Sequence, residues 1–198
     1  MSEHVWDGPL YNFLRLCEES RLEKRILDCG AGGERPPLSL FFHRGYETAG
    51  VEIEDEQFSL AIKYCADNDE PLNIIKADMR HLPFPDESFS FAYTYHSIMF
   101  MTKPDIAASV QEMIRVLRPD GLIFVNLWSV DDPEERPFKE GSFAREMLGS
   151  ERFAKYEDDE ADVFFKGLTI LHKEKRIIDT FWNDDRLIRA RIDYMARK

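Results

Sequence analysis

The stretch RILDCGAGGERPPLSL, residues 25–40, decides the fold of this chain. Ile26 to Cys29 predict a short buried strand of the apolar kind found in parallel sheets. The glycine-rich residues 30–33 then allow a sharp turn and let a ligand approach bare main chain. Pro36 and Pro37 suit the first turn of a helix, where a backbone N–H has no intrahelical partner anyway. A strand, a glycine-rich turn and a helix start are typical of a nucleotide-binding corner, and the alternative is an ordinary tight turn in an α/β domain.

Strands and helices alternate along the chain on either side of this stretch. Apolar residues at helical spacing predict an N-terminal helix from Pro9 to Leu22. After residue 127 the pattern changes, and residues 168–180 and 187–197 alternate apolar and polar side chains as an antiparallel hairpin does. The alternation predicts right-handed crossovers onto one sheet. The other predicted strands are residues 26–29, 46–53, 72–77, 89–95 and 122–127, and the other predicted helices are residues 36–42, 54–68, 103–117 and 160–166, with a turn at 119–121.

These elements together predict the fold class. We expect an α/β, Rossmann-like doubly wound fold with a seven-stranded sheet. The sheet is mostly parallel, ends in an antiparallel C-terminal hairpin and carries helices on both faces. At 198 residues, one domain is the natural expectation.

Composition and charge narrow the possible partners. The net charge of -12 argues against binding a nucleic acid, which requires clustered Lys and Arg, and favours a small-molecule or protein partner. No apolar run approaches the roughly 20 residues of a membrane span, and the first residues lack the pattern of a secretory leader. Three scattered cysteines without metal-like spacing fit reduced thiols, so we expect a cytoplasmic protein with no membrane association and no metal site. The oligomeric state is left open.

Acidic residues stand at the ends of three predicted strands. Asp28, Glu52 and Asp78 follow or close the first, second and third strands. Ligands of open α/β sheets bind outside the carboxyl ends of the strands. Glu52 comes about 20 residues after the glycines, where an acid captures a ribose diol in dinucleotide-binding folds. A solvated strand-end carboxylate is the alternative for Glu52.

From Arg25 to Leu127 the sequence resembles the class I S-adenosylmethionine-dependent methyltransferases of the small, single-domain type that act on small molecules. Several motifs in family-like order carry this resemblance: ILDCGAGG (26–33), GVEI (50–53), ADM (77–79), LPFPDESF (82–89) and IRVLRPDG (114–121). It implies S-adenosylmethionine as the cofactor and an unidentified small-molecule acceptor. Two alternatives stay open: a non-catalytic domain that binds this cofactor or S-adenosylhomocysteine and regulates a partner, and an NAD-dependent oxidoreductase. The oxidoreductase fingerprint, however, requires glycine where Arg35 stands.

The resemblance also implies roles at the methionine end of the cofactor. Gly30 and Gly32 would pass beneath the methionine part, and Asp28 would organise the loop near its amino group. Main chain around Thr94 and Tyr95 would contact the ammonium. The family usually has a third glycine where this chain has Glu34, which puts the path of this turn in doubt.

At the adenosine end, the resemblance assigns four residues. Glu52 would hold the ribose hydroxyls, and Ile53 would pack against adenine. Asp78 would accept hydrogens from the adenine amino group, while the Met79 main-chain N–H would reach a ring nitrogen.

His96 is the candidate general base. It follows the fourth strand, where the transferred methyl group should point, and an imidazole there could accept a proton from the acceptor. The alternative is a histidine that is simply packed and hydrogen-bonded.

We divide the single predicted domain, residues 1–198, by role. Residues 1–24 form an N-terminal cap helix and residues 25–128 the cofactor-binding core. Residues 129–160 are charged and poorly periodic, as long functional loops are, and are expected to form a substrate lid. Residues 161–198 form the C-terminal helix and hairpin.

Overall fold

The computed structural model describes residues 5–133, 153–182 and 185–198. Helices and strands alternate as predicted up to residue 129, and a hairpin ends the chain. The helices are α1 (Gly8–Glu19), α2 (Leu38–Phe42), α3 (Asp55–Asn68) and α4 (Lys103–Val116), with 3₁₀ helices at Ile98–Phe100 and Glu160–Phe165; the strands are β1 (Arg25–Cys29), β2 (Glu47–Glu52), β3 (Ile74–Lys76), β4 (Phe89–Thr94), β5 (Leu117–Ser129), β6 (Lys155–Tyr156), β7 (Thr169–Trp182) and β8 (Asp185–Arg197).

One sheet contains all of these strands. Its order is β3-β2-β1-β4-β5-β8-β7, and β6 pairs with β5 beside this path. Strands β1 to β5 run parallel, whereas β8 runs antiparallel to both β5 and β7. This confirms the doubly wound, Rossmann-like α/β fold with an antiparallel hairpin; the two-residue β6 is an addition to the seven predicted strands.

Helices cover both faces of the sheet. Helix α1 packs Phe13 against the face that also carries Tyr93 and Phe124. Helix α4 packs Ile106 and Val110 onto the opposite face, because these residues recur at helical spacing. The two apolar cores hold the central strands rigid on both sides, and so they fix the strand ends from which the loops emerge.

The structure differs from the sequence prediction in local detail. The predicted turn at residues 119–121 lies inside β5, which begins at Leu117 and accommodates a register shift against β4 between Phe89 and Phe91. The predicted helix at residues 160–166 is a 3₁₀ helix, Glu160–Phe165. The first difference extends a strand at its start, the second changes the type of a helix, and neither alters the topology.

Only the two ends of the predicted lid, residues 129–160, can be described. Residues 134–152 lie outside the described residues. At one end Ser129 closes β5, and at the other Tyr156 is buried and pairs with Ser129 through β6. The lid therefore stays a prediction, but its flanks belong to the sheet. Within the described ranges, no helix has the length and apolar character to cross a membrane.

Candidate functional site

The loops that follow β1, β2 and β4 meet at the carboxyl edge of the sheet. The N–H groups of Gly30 and Ala31 donate to the carbonyl of Val51 at 2.9 and 3.0 Å. From the loop after β4, the Ser97 hydroxyl donates to the Gly30 carbonyl at 3.1 Å. The glycine turn is thus tied to both neighbouring strands, at the point where the strand order reverses and open α/β sheets bind ligands.

Close approach explains the two glycines that the sequence analysis selected. Gly30 has a φ of +99°, and a Cβ there would lie 2.2 Å from the Cβ of Ser97. A Cβ on Gly32 would lie 2.5 Å from Oε2 of Glu52. The buried Met79 side chain ends 3.5 Å from the position of a Cβ on Gly30. Any larger residue at either glycine would push these side chains out of place.

Glu52 closes the other side of the turn and is fixed by main-chain donors. Its Oε2 accepts a hydrogen bond from the Gly32 N–H at 3.1 Å, and its Oε1 accepts from the N–H groups of Ile53 and Glu54, both at 2.8 Å. Burial raises the pKa of Glu52, and these bonds oppose the rise because they favour the charged form. A carboxylate has about four acceptor positions, so one remains for a ligand hydroxyl.

Asp28 lies under the turn rather than on its surface. Its side chain is 1% exposed, and its Oδ2 accepts a hydrogen bond from the Tyr93 hydroxyl at 2.6 Å. Burial raises the pKa of Asp28 to about 8, with the Tyr93 bond opposing and the nearby Glu52 charge adding to the rise. Its Oδ1 has no hydrogen-bond partner among the described residues. Its predicted role near the amino group of the cofactor is untested.

Asp78 is engaged by Arg80. The Arg80 Nη2 donates to Oδ2 of Asp78 at 2.7 Å, its N–H donates to Oδ1 at 2.8 Å, and its Nη1 reaches Asp105 at 3.0 Å. Burial opposes ionisation of Asp78, but the bonds from Arg80 outweigh burial and lower its pKa. An adenine amino group would therefore compete with Arg80 for the Asp78 oxygens. Ile53, its predicted neighbour at the adenine, is half-buried.

Tyr95 and His96 form a stacked pair at the end of β4. Their ring centroids are 3.9 Å apart, and the Tyr95 hydroxyl donates a hydrogen bond to Asp7. His96 adopts a φ of +58°, and its N–H donates to Oδ1 of Asn126 at 3.0 Å. Tyr95 stacks on the face of the imidazole, and Arg191 contacts its edge at Nε2. These contacts hold the imidazole in one orientation between α1, β5 and β8.

The surroundings of His96 favour a neutral imidazole. Burial and the charge of Arg191 lower its pKa well below the usual value, while Asp7 opposes the shift. Since a guanidinium only donates, Nε2 must act as the acceptor, and the ring proton is then on Nδ1. His96 can serve as a general base at Nε2 only when Arg191 releases that atom. Its catalytic role stays a prediction.

The charged partners that surround His96 were not predicted from the sequence. Arg176 and Arg191 lie directly opposite each other on β7 and β8, and Asp193 is fully buried two residues further along β8. The available signal was the pair of charged residues Arg191 and Asp193 within the mostly apolar run 190–196 of β8. Metal ligation is not indicated: across residues 5–133, 153–182 and 185–198, no group of three or more His, Cys, Asp or Glu side chains could hold an ion.

Comparison with protein families gives one match, which spans most of residues 25–128. The model of the family described as "Methyltransferase domain" matches residues 27–125, which is half of the chain. Among curated proteins, the sterol 24-C-methyltransferase of Pneumocystis carinii is 27% identical over 175 residues, covering 83% of this chain and 45% of the relative. The 27-O-demethylrifamycin SV methyltransferase of Amycolatopsis mediterranei is 32% identical over 103 residues, covering 51% of this chain and 37% of the relative. The chain thus spans less than half the length of these relatives.

Solved structures show the same fold at low sequence identity. TehB from Haemophilus influenzae superposes with a TM-score of 0.74 at 14% identity, covering 99% of this chain and 63% of that chain. The YcgJ protein from Bacillus subtilis superposes with a TM-score of 0.68 at 17% identity, covering 96% of this chain and 97% of that chain. At these identities the likeness concerns the fold alone.

Proposed function

Because the chain belongs to the methyltransferase domain family, we propose that it transfers a methyl group from S-adenosylmethionine to a small-molecule acceptor. Family membership confirms the class I methyltransferase resemblance and, with it, S-adenosylmethionine as the cofactor. It does not favour the oxidoreductase or the non-catalytic alternative.

The observation that carries the proposal is the link between Glu52 and the glycine turn. Glu52 closes β2, Gly32 lies in the turn after β1, and the two meet through a hydrogen bond of 3.1 Å. The main chain of the turn and one fixed carboxylate thus share one edge of the sheet, which fits a ligand that has both a ribose and a flexible tail. The proposed cofactor contacts are Asp28, Gly30, Gly32, Glu52, Ile53, Asp78, Met79 and Tyr95.

The bound cofactor supplies an electrophilic methyl group on a sulfonium. The task of the chain is to hold an acceptor atom in line with that methyl group, and positioning alone supplies much of the rate acceleration in such reactions. The loop after β4 is placed for this task, because Ser97 joins it to the glycine turn and His96 joins it to the hairpin. We propose that the acceptor binds beside this loop, with residues 129–160 as its cover.

The relatives support a small acceptor. The names of two relatives refer to a sterol and to 27-O-demethylrifamycin SV, and both are small molecules. The net charge of -12 supports the same choice over a nucleic acid. Cys17, Cys29 and Cys65 are free thiols, which supports a reducing compartment such as the cytoplasm.

Transfer of a labelled methyl group tests the proposal. The protein is incubated with methyl-labelled S-adenosylmethionine and fractionated small-molecule extracts, and labelled product and S-adenosylhomocysteine are quantified together. Equal amounts of both, dependent on one fraction and lost in Glu52→Ala, are expected. Cofactor binding without transfer to any fraction would instead favour the non-catalytic alternative.

A further inference from the structure

The polar cluster beside His96 contains more hydrogen-bonding groups than the protein itself satisfies. On one face of the sheet, Arg176 of β7 lies opposite Arg191 of β8, and Asp193 lies opposite Asn126 of β5. Four buried atoms of these residues have no hydrogen-bond partner among the described residues: Arg176 Nη2, Arg191 Nε, Asn126 Nδ2 and Asp193 Oδ1. A buried charged donor without a partner costs on the order of 1–3 kcal/mol or more, so this concentration calls for a ligand.

The two acids of the cluster, Asp193 and Asp7, contact the arginines in different ways. Arg176 donates from Nε to Oδ2 of the fully buried Asp193 at 2.7 Å. Asp7, the other acid of the cluster, lies before α1 and keeps a third of its side chain exposed. Its Oδ2 lies 3.7 Å from Arg191 and 3.8 Å from Arg176 and from His96, beyond hydrogen-bonding distance in each case. Asp7 therefore balances the charge of the cluster without satisfying its donors.

The cluster is adjacent to the proposed site of methyl transfer. Arg191 contacts His96. Ser97, the residue that follows His96, donates a hydrogen bond from its hydroxyl to the Gly30 carbonyl in the glycine turn. The guanidinium of Arg191 also lies 5.3 Å from the ring centre of Trp128. The buried Trp128 ring thus packs against the guanidinium of Arg191 and helps to hold it in place.

We propose that the acceptor of this methyltransferase carries a carboxylate, which Arg176 and Arg191 bind in the place that the Asp7 carboxylate now occupies. Arginine forks recognise carboxylates with paired hydrogen bonds. Once the Asp7 carboxylate is displaced, two arginines against Asp193 leave one positive charge, which a monoanion neutralises and a dianion overcompensates. This inference rests on the proposed function, since it names the substrate class of that same site.

The test compares carboxylates with their neutral amides. Protein saturated with S-adenosylhomocysteine is titrated by calorimetry with a panel of monocarboxylates, from acetate to phenylacetate and cinnamate, and with the matching amides. At least one acid should bind tenfold or more tightly than its amide. Arg176→Gln and Arg191→Gln should abolish that preference, whereas Asp7→Asn should strengthen acid binding several-fold because a competing carboxylate is removed.

Arg197→Gln is the matched control. Arg197 lies on the same strand and, six residues away, on the same face as Arg191, but it is exposed at the far end of β8. Its loss should leave the preference unchanged. Should Arg176→Gln fail to fold because Asp193 is left unpaired, the double variant Arg176→Gln/Asp193→Asn removes both charges together.

Two results would overturn the inference: no acid preferred over its amide, or a preference that survives in both arginine variants. Either result with normal S-adenosylhomocysteine binding leaves the proposed function standing. Failure of the unmodified protein to bind S-adenosylhomocysteine would instead contradict the proposed function itself.

Discussion

Replacing Glu52 with alanine should weaken cofactor binding about 10- to 100-fold. The carboxylate is fixed by three main-chain N–H groups and points at the glycine turn, so a ribose would meet an oriented charged acceptor. One hydrogen bond from a ribose hydroxyl to this charged group, at about 1.5–3 kcal/mol, corresponds to roughly 10- to 100-fold in affinity. Glu52→Gln keeps one acceptor oxygen and loses the charge, so it should retain about half of that free energy.

The same variant should also lower stability, because Gly32, Ile53 and Glu54 would lose their acceptor. These N–H groups lie at a partly exposed edge where water can replace the carboxylate, so we expect a cost of about 1–2 kcal/mol in the free energy of unfolding. For a chain of this size the melting temperature should fall by roughly 2–8 °C.

Calorimetry with S-adenosylhomocysteine and its 2′-deoxy analogue separates the two effects. The unmodified protein should bind the analogue more weakly than S-adenosylhomocysteine. Glu52→Ala should bind both ligands with the same, weakened affinity, since the partner of the missing hydroxyl is gone. Glu54→Gln, which neutralises the neighbouring acid and keeps its N–H, should bind both ligands within about twofold of the unmodified protein. A Glu52→Ala protein that still discriminates between the two ligands would refute the assignment of Glu52 to the ribose.

Three further predictions concern other parts of the site. Burial raises the pKa of Asp28 from 3.8 to about 8, so the folded state favours its protonated form. The free energy of unfolding should therefore fall as the pH rises from about 4 to about 8, by up to about 1.4 kcal/mol per pH unit. Urea unfolding at pH 5 and pH 8 should show this slope reduced in Asp28→Asn and kept in Glu56→Gln, and an unchanged slope in Asp28→Asn would contradict the buried acid. If His96 is a general base, His96→Ala should lose about 10²–10⁴-fold in turnover at unchanged cofactor affinity. The rate of the unmodified enzyme should then be flat from pH 6 to 8, because the pKa of His96 is lowered. A lower melting temperature with normal turnover in His96→Ala would assign His96 to packing. Replacing residues 134–152 with a short Gly-Ser linker should leave cofactor affinity within a few-fold and abolish transfer, whereas equal losses of both would argue against a lid.

The cofactor half of the fold could be predicted from the sequence because its signals are local. The apolar run at residues 26–29 and the glycines after it define a strand and a turn without reference to the rest of the chain. Helix α4 is likewise predicted by Ile106, Val110 and Met113, which recur on one helical face. β6 could not be found in this way, since its two residues have no periodicity and pair with β5 only because Tyr156 is buried there.

The charged cluster could not be predicted because it depends on register. Alternation correctly predicted the hairpin, but a slip of one residue between β7 and β8 would move Arg176 away from Arg191 and onto the other face. The contact between Arg191 and His96 joins residues far apart in the chain, as does the bond between Tyr93 and Asp28. Such pairs follow from the packing of strands, and no local pattern in the sequence encodes them.

Titration of the purified protein with S-adenosylhomocysteine, followed by calorimetry alongside NAD, tests the cofactor assignment most directly. We predict a single site per chain with a dissociation constant in the micromolar range, about -8 kcal/mol, and no heat with NAD. Binding of NAD with no heat from S-adenosylhomocysteine or S-adenosylmethionine would contradict the assignment.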